Sequence, residues 1–266
     1  METYRLKNIA IVILALLNGF LLLLLGYQYY QSQMAAAETE RQLRTLFAGS
    51  HLALAEDVDL RQGALRPLGV RRHSEEEAAM AAFLLDGEVQ STNQGGGIYS
   101  YENGCGTMQF RSVGLLGVEL SRPVLDVEEF ARDFCDQFGY RELRLELKGQ
   151  SGTADAVQYV DGVPIRGCTV TMTFDRGVLT GIAGSYVALE EGAVAAGERL
   201  SAVTVLTRFL DYRGEEGIVC NRVEDLQCVY VLPSAASAQT LLPAWQVVTD
   251  TYTYFVDCAT GEITRQ

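Results

Sequence analysis

Six cysteines, two histidines and a scatter of carboxylates are the side chains of this sequence that carry chemistry. The cysteines stand at positions 105, 135, 168, 220, 228 and 258. No two have the C-x-x-C spacing of a zinc or dithiol redox site. An even number permits full pairing outside a reducing compartment. Cys220 and Cys228 are close enough in sequence to bridge a short loop, and they are the candidate disulfide. Cys168 falls on the apolar face of a predicted strand, and Cys135 falls beside an apolar helix stripe. Both read equally well as small buried hydrophobes. His51 and His73 lie near no nucleophile or metal-ligand pattern, so neither a triad nor a zinc site is predicted. His73, among Arg71, Arg72 and Glu75, reads as a solvated side chain. Asp155, Asp161 and Asp175 fall at predicted strand ends. Paired acids can hydrolyse glycosides, but acids at hairpin turns are usually turn formers. The sequence holds no G-x-S-x-G, H-E-x-x-H, P-loop or Rossmann fingerprint. Gly95-Gly96-Gly97 lacks the following helix that phosphate binding needs and reads as a hairpin tip. No catalytic, cofactor-binding or metal-binding residue is predicted, and the chain is read as a non-enzyme.

The elements that must position such residues begin with a membrane anchor. Residues 9–26 are apolar except for Asn18 and the glycines, and 18 helical residues span about 27 Å, close to the hydrocarbon thickness. Arg5 and Lys7 precede the run, and Tyr27, Tyr29 and Tyr30 follow it. That arrangement predicts a single span with residues 1–8 in the cytoplasm and the rest outside the cell membrane. A cleaved signal peptide is the competing reading. Against it, Ala35-Ala36-Ala37 lies far beyond the apolar run, and the run is long for a signal. Asn18 and Gly19 are the candidate contacts to a neighbouring helix within the membrane.

The whole chain has 266 residues and a net charge of −13, and the part after residue 26 has a balance of −14. Such an acidic chain is a poor partner for nucleic acid, which needs a Lys/Arg surface, or for an anionic lipid face. At 48% apolar content it is also no disordered tail.

Residues 27–73 read as a helical stalk and linker. Ser74 and Glu77 form an expected capping box, followed by Met80, Phe83 and Leu84 on one helix face. Short strands broken by glycine are predicted over 88–92, 97–101, 106–112 and 115–120. A second helix is expected from Asp126, with Phe130, Phe134 and Phe138 on one face and Gly139 after its end. Strands are predicted over 142–148, 155–160, 165–174 and 178–188. The clearest is Cys168–Phe174, where Cys168, Val170, Met172 and Phe174 alternate with threonines. A third helix from Ser201 carries Val205, Leu206, Phe209 and Leu210. Strands at 223–232, 242–249 and 252–257 follow, with a small-residue loop at 233–240. The expected fold class is α+β, an N-terminal transmembrane helix followed by helices packed on curved antiparallel sheets. Two lobes are expected, residues 74–122 and 123–266.

Two sequence stretches carry a family resemblance. Pro243-Ala244-Trp245-Gln246-Val247, then Tyr252 to Asp257 and Ala259-Thr260-Gly261-Glu262-Ile263, resembles the closing hairpin of PepSY-type domains. Trp245 and the aromatics are expected to pair across it, with Asp257 and Gly261 shaping the turn. Tyr159-Val160-Asp161-Gly162-Val163-Pro164-Ile165, followed by Gly177-Val178-Leu179, is similar to a motif of YycH/YycI-type proteins. The six cysteines and the glycine-rich stretch at 93–106 depart from that family.

The resemblance implies a membrane-anchored regulator of a cell-wall two-component system of Gram-positive type. Its partners would be a sensor histidine kinase and a second YycH-like accessory protein, with no cofactor. The alternative is a PepSY-like protease inhibitor or peptide-binding chaperone acting outside the membrane.

Overall fold

The computed structural model describes residues 2–111, 113–193, 199–232 and 240–265. The protein is α+β, with a large curved sheet and helices laid on it. The small-residue loop predicted at 233–240 lies, but for Thr240, outside the described residues.

Helix α1 (Glu2–Gly49) is unbroken. Two short strands follow, β1 (Ala53–Leu54) and β2 (Leu68–Val70), within what reads in the sequence as linker. Helix α2 (Ser74–Leu85) leads into a meander of β3 (Gln90–Gly95), β4 (Ile98–Asn103), β5 (Gly106–Arg111) and β6 (Gly114–Val118), and then β7 (Arg122–Pro123). Helix α3 (Val127–Phe138) is followed by β8 (Tyr140–Lys148), β9 (Ser151–Val160), β10 (Val163–Asp175), β11 (Val178–Ser185) and β12 (Leu189–Ala193). Helix α4 (Ala202–Glu215) precedes β13 (Arg222–Val231), β14 (Thr240–Thr249), β15 (Thr253–Asp257) and β16 (Ile263–Arg265).

Local chemistry explains the boundaries. Asp126 caps α3 by accepting from the backbone N–H groups of Glu128 and Glu129 at 2.9 and 3.1 Å. Gly139 ends α3 in the left-handed conformation, at φ 72°. Ser201 caps α4 through the Thr204 N–H. The expected capping box at Ser74 does not form. Ser74 is already helical, the N-cap is His73, and the Glu77 carboxylate turns inward to Arg72 and Tyr101. A half-buried guanidinium competes better for that carboxylate than the backbone N–H it was expected to cap. Asp161-Gly162, both at positive φ, make the tight turn between β9 and β10.

The predicted alternation of β10 is observed: Cys168, Val170, Met172 and Phe174 are buried, while Thr169 and Thr173 are exposed. This strand is also the spine of the sheet. It pairs antiparallel with β9 and β11, and its Ile165 and Arg166 pair parallel with Tyr230 and Val231 of β13.

Side-chain packing forms separate cores on either side of about residue 188, the second also taking in residues 43–65. Residues 74–122 do not bury a face of their own. Phe83 of α2 packs on Phe130 and Phe138 of α3, ring centroids 5.2 and 5.6 Å apart. The first core therefore holds both helices, with Met80, Leu84, Phe134 and the apolar face of β10. One helix and a four-stranded meander expose too much apolar surface to stand alone, and α3 covers it. The second core joins Leu43 and Phe47 of α1 to Phe209 of α4 and to Trp245 and Tyr254 of the last strands. A small third cluster, with Ile165, Cys168, Val187 and Tyr230, lies where the two meet.

Candidate interaction site

Helix α1 has two different surfaces along its length. From Ile13 to Leu25 the described side chains are almost all apolar and exposed, among them Leu16, Phe20 and Leu22, and Tyr27 and Tyr30 follow. Among the described residues no helix is long and apolar enough to cross a membrane. At its other end the same helix is locked to the body. Leu43 and Phe47 are buried in the second core. Arg44 donates to the carbonyls of Ala55 and Glu56 at 3.1 and 3.2 Å and pairs with Glu40 one turn back. Arg213 of α4 reaches the Ser50 carbonyl at 3.2 Å, just past the helix end. The chain then reverses, and Ala53 and Leu54 join the sheet beside Arg222 and Val223.

This junction was missed in the sequence, where residues 27–73 read as stalk and linker. The available signal was the spacing of Leu43 and Phe47, one helical turn apart, continuing an apolar face into a region otherwise polar.

The candidate contacts Asn18 and Gly19 lie on the exposed apolar part of α1. The Asn18 amide nitrogen donates to the Leu14 carbonyl at 3.0 Å. Nothing would meet a Cβ added at Gly19, so a second helix can approach closely there.

All six cysteines are free thiols. Cys220 is buried beside Arg213, and its thiol is raised by burial. Cys228 has a different thiol neighbour from the one proposed in the sequence: the Cys258 sulfur lies 3.7 Å away. Cys168 donates to the Gln158 side chain at 3.0 Å, and burial pushes its thiol up to about 12. Cys135 is likewise buried, at about 11.

The three aspartates do not converge. Asp155 lies within β9 and accepts from the Thr171 hydroxyl. Asp161 and Asp175 flank the 13 residues of β10, on the order of 40 Å of extended chain. The carboxylates of a glycosidase sit roughly 5 to 9.5 Å apart. His73 is an N-cap residue with Glu76 3.8 Å from its ring nitrogen. Gly95, Gly96 and Gly97 turn the β3–β4 hairpin.

In the closing hairpin the Asp257 carboxylate accepts from Ala259 and Thr260 N–H at 2.8 and 2.7 Å, and Gly261 donates to the Asp257 carbonyl. The aromatics pair differently from expectation. Trp245 stands opposite Val256, and Tyr254 opposite Val247. Tyr254 instead packs on Phe209 of α4, and the Trp245 indole donates to the Leu200 carbonyl at 2.9 Å. The rings bind the helix to the sheet instead of binding the hairpin to itself.

No protein-family model and no curated protein matches the chain. Among solved structures, the crystal structure of an uncharacterized protein from Eubacterium rectale is similar at 13% identity, with a TM-score of 0.44. The match covers 80% of this chain and 85% of that one.

Proposed function

We propose that the protein is a membrane-anchored regulator that binds a sensor histidine kinase of a cell-wall two-component system and biases it toward one state. The observation that carries this reading is a single uninterrupted helix, apolar and exposed at one end and built into the second core at the other. In the sequence the apolar run begins at Ile9, which makes it 18 residues counted to Gly26, enough to span the hydrocarbon core at about 27 Å. The body outside then cannot rotate or shift without carrying the span with it, because Arg44, Leu43 and Phe47 fix the helix to the sheet. A helix pair formed around Asn18 and Gly19, together with docking of the body, favours whichever kinase state fits both contacts. YycH/YycI-like proteins are the family this resembles, and a second YycH-like protein is the expected companion. The residues named act by contact, and no bond-making step is assigned to them.

The test is copurification of the full-length protein with a sensor kinase from membranes. Exchange of residues 9–26 for an unrelated span should abolish capture and change kinase output. Unchanged capture and output with the foreign span would sink the intramembrane mechanism.

A second reading has one observation in its favour. Strand β3 is an outer strand of the sheet, exposed along its whole length and paired on one side with β4. Such an edge can add a peptide strand, as a protease inhibitor or peptide-binding chaperone would require. Full activity in a fragment of residues 40–266 would favour that reading.

A further inference from the structure

The six thiols are not equivalent, and one pair stands apart. Cys228 lies on β13, and Cys258 lies directly after β15, with β14 between the two strands. Their sulfurs are 3.7 Å apart, both buried in the second core. Among the described residues the other four have other surroundings. Cys168 is engaged with Gln158, Cys220 with Arg213, and Cys135 is packed under α3. Cys105 lies in the loop between β4 and β5, its N–H held by Asn103.

We propose that Cys228 and Cys258 are an oxidisable dithiol that closes to an intramolecular disulfide. A disulfide is about 2.05 Å long, so the sulfurs must approach by about 1.7 Å, and because β14 lies between the two strands the backbone at Cys258, just past the end of β15, must move inward with its sulfur. The proposal does not rest on the anchoring or kinase reading, since the pair is set by the packing of the second core alone.

The surroundings give the two thiols different roles. Either sulfur can donate the S–H between them, and a Cys258 S–H aimed at Cys228 lowers the Cys228 thiol. The Leu65 N–H points at the Cys228 sulfur from 3.5 Å and adds to the same effect. Cys228 is therefore the nucleophile. What covers it is the irregular segment around Gln62 and Leu65. Gln62 accepts from the Cys228 N–H at 3.0 Å, and Ala64 is held by Arg199 at 3.5 Å. A segment tied down by so few bonds opens locally far more readily than the sheet beneath it.

The chemistry balances with a disulfide as the oxidant, either a low-molecular-weight disulfide or a thiol–disulfide oxidoreductase. The Cys228 thiolate attacks one oxidant sulfur and expels the other as a thiolate. Cys258, giving up its proton, attacks the Cys228 sulfur and expels the second thiolate. Two protein thiols lose two electrons and two protons, and the oxidant becomes two thiols. The bond then staples β13 to the end of β15 across Trp245, under the segment that connects α1 to the body.

The sequence supplies a clean readout. No lysine or arginine lies between Arg222 and Arg265, so trypsin releases Cys228 and Cys258 on one peptide. Cys220 is on the preceding peptide, between Arg213 and Arg222. The full-length reduced protein, folded in detergent without denaturant, is incubated with oxidised glutathione, alkylated and digested. The expected product is the peptide 223–265 lighter by two hydrogen atoms and carrying no alkyl group. Cys220→Ser should leave that product unchanged. Thermal unfolding of the oxidised protein should rise by about 5–10 °C, as closing a loop of about thirty residues predicts for a chain of this size. A peptide that stays doubly alkylated, a persistent glutathione adduct, or a cross-link between the Cys220 and Cys228 peptides would each overturn the proposal.

Discussion

The two large cores are built in opposite ways. The first draws on one contiguous stretch, from α2 to β11, with the meander β3–β7 between its two helices. The second is assembled from distant pieces: the end of α1, the segment around residues 52–58, α4 and the last strands. A contiguous core can form from local hairpins and helices. A core that holds both Phe47 and Tyr254 must close a loop of most of the chain, and that closure is slow and entropically costly. The dividend is mechanical. The helix that carries the exposed apolar residues is built into the second core, so a push on it arrives first at α4 and β1. The first core receives it through the short parallel pairing of β10 with β13, the third cluster, the β12–β2–β14 pairing and side-chain bonds such as Arg166 to Gln246.

Substitutions can separate the two cores. Phe47→Ala should be the most damaging, losing about 3–5 kcal/mol from a fully buried ring. Urea unfolding measures that loss. Amide exchange should quicken in β13–β15 and stay slow in β8–β10, whereas Phe134→Ala should reverse the pattern. Equal quickening in both regions would show one cooperative unit and erase the distinction.

Glu77→Ala comes next. The Glu77 carboxylate is nearly buried and holds both Arg72 and the Tyr101 hydroxyl. Its loss leaves Arg72 over the Tyr99 ring without its anion. A destabilisation of about 2 kcal/mol is expected, below the value for a fully buried pair because Arg72 is partly solvated. Glu77→Gln should recover part of it by keeping an acceptor for Tyr101.

Asp126→Ala should cost about 1 kcal/mol through the lost cap on α3 and should weaken only the first core. The smallest effect is acid-dependent. Asp250 is held below the ordinary carboxylate range chiefly by the Asn221 N–H, and also by the Asn221 side chain and the Arg222 N–H. Its stabilising contribution is present above the unfolded carboxylate value and is lost as pH falls through the lower folded value. Asp250→Asn should flatten that part of the stability profile of the second core, read as Tm against pH.

Much of this was legible in residue spacing. The stripe of Phe130, Phe134 and Phe138, the alternation of β10 and the Asp126 and Gly139 boundaries all depend on neighbours a few residues away. The division of the cores was not, because it depends on which faces meet after folding. Phe83 finding α3, and the end of α1 finding α4, are contacts that no local period announces. The same holds for the thiols. Cys220 and Cys228 are close in sequence, yet the sheet sets Cys228 beside Cys258. The Ser74–Glu77 pattern misled for a related reason, since a long-range guanidinium claimed the carboxylate.

The central claim is that α1 touches another protein inside the membrane while its end stays fixed to the body. A photo-crosslinking residue placed at position 18 of the full-length protein, activated in native membranes, tests it most directly. The account predicts an adduct with the span of a sensor histidine kinase, lost when Gly19 is replaced by a bulky residue such as leucine. Adducts to lipid alone, with kinase output unchanged by Gly19→Leu, would contradict it.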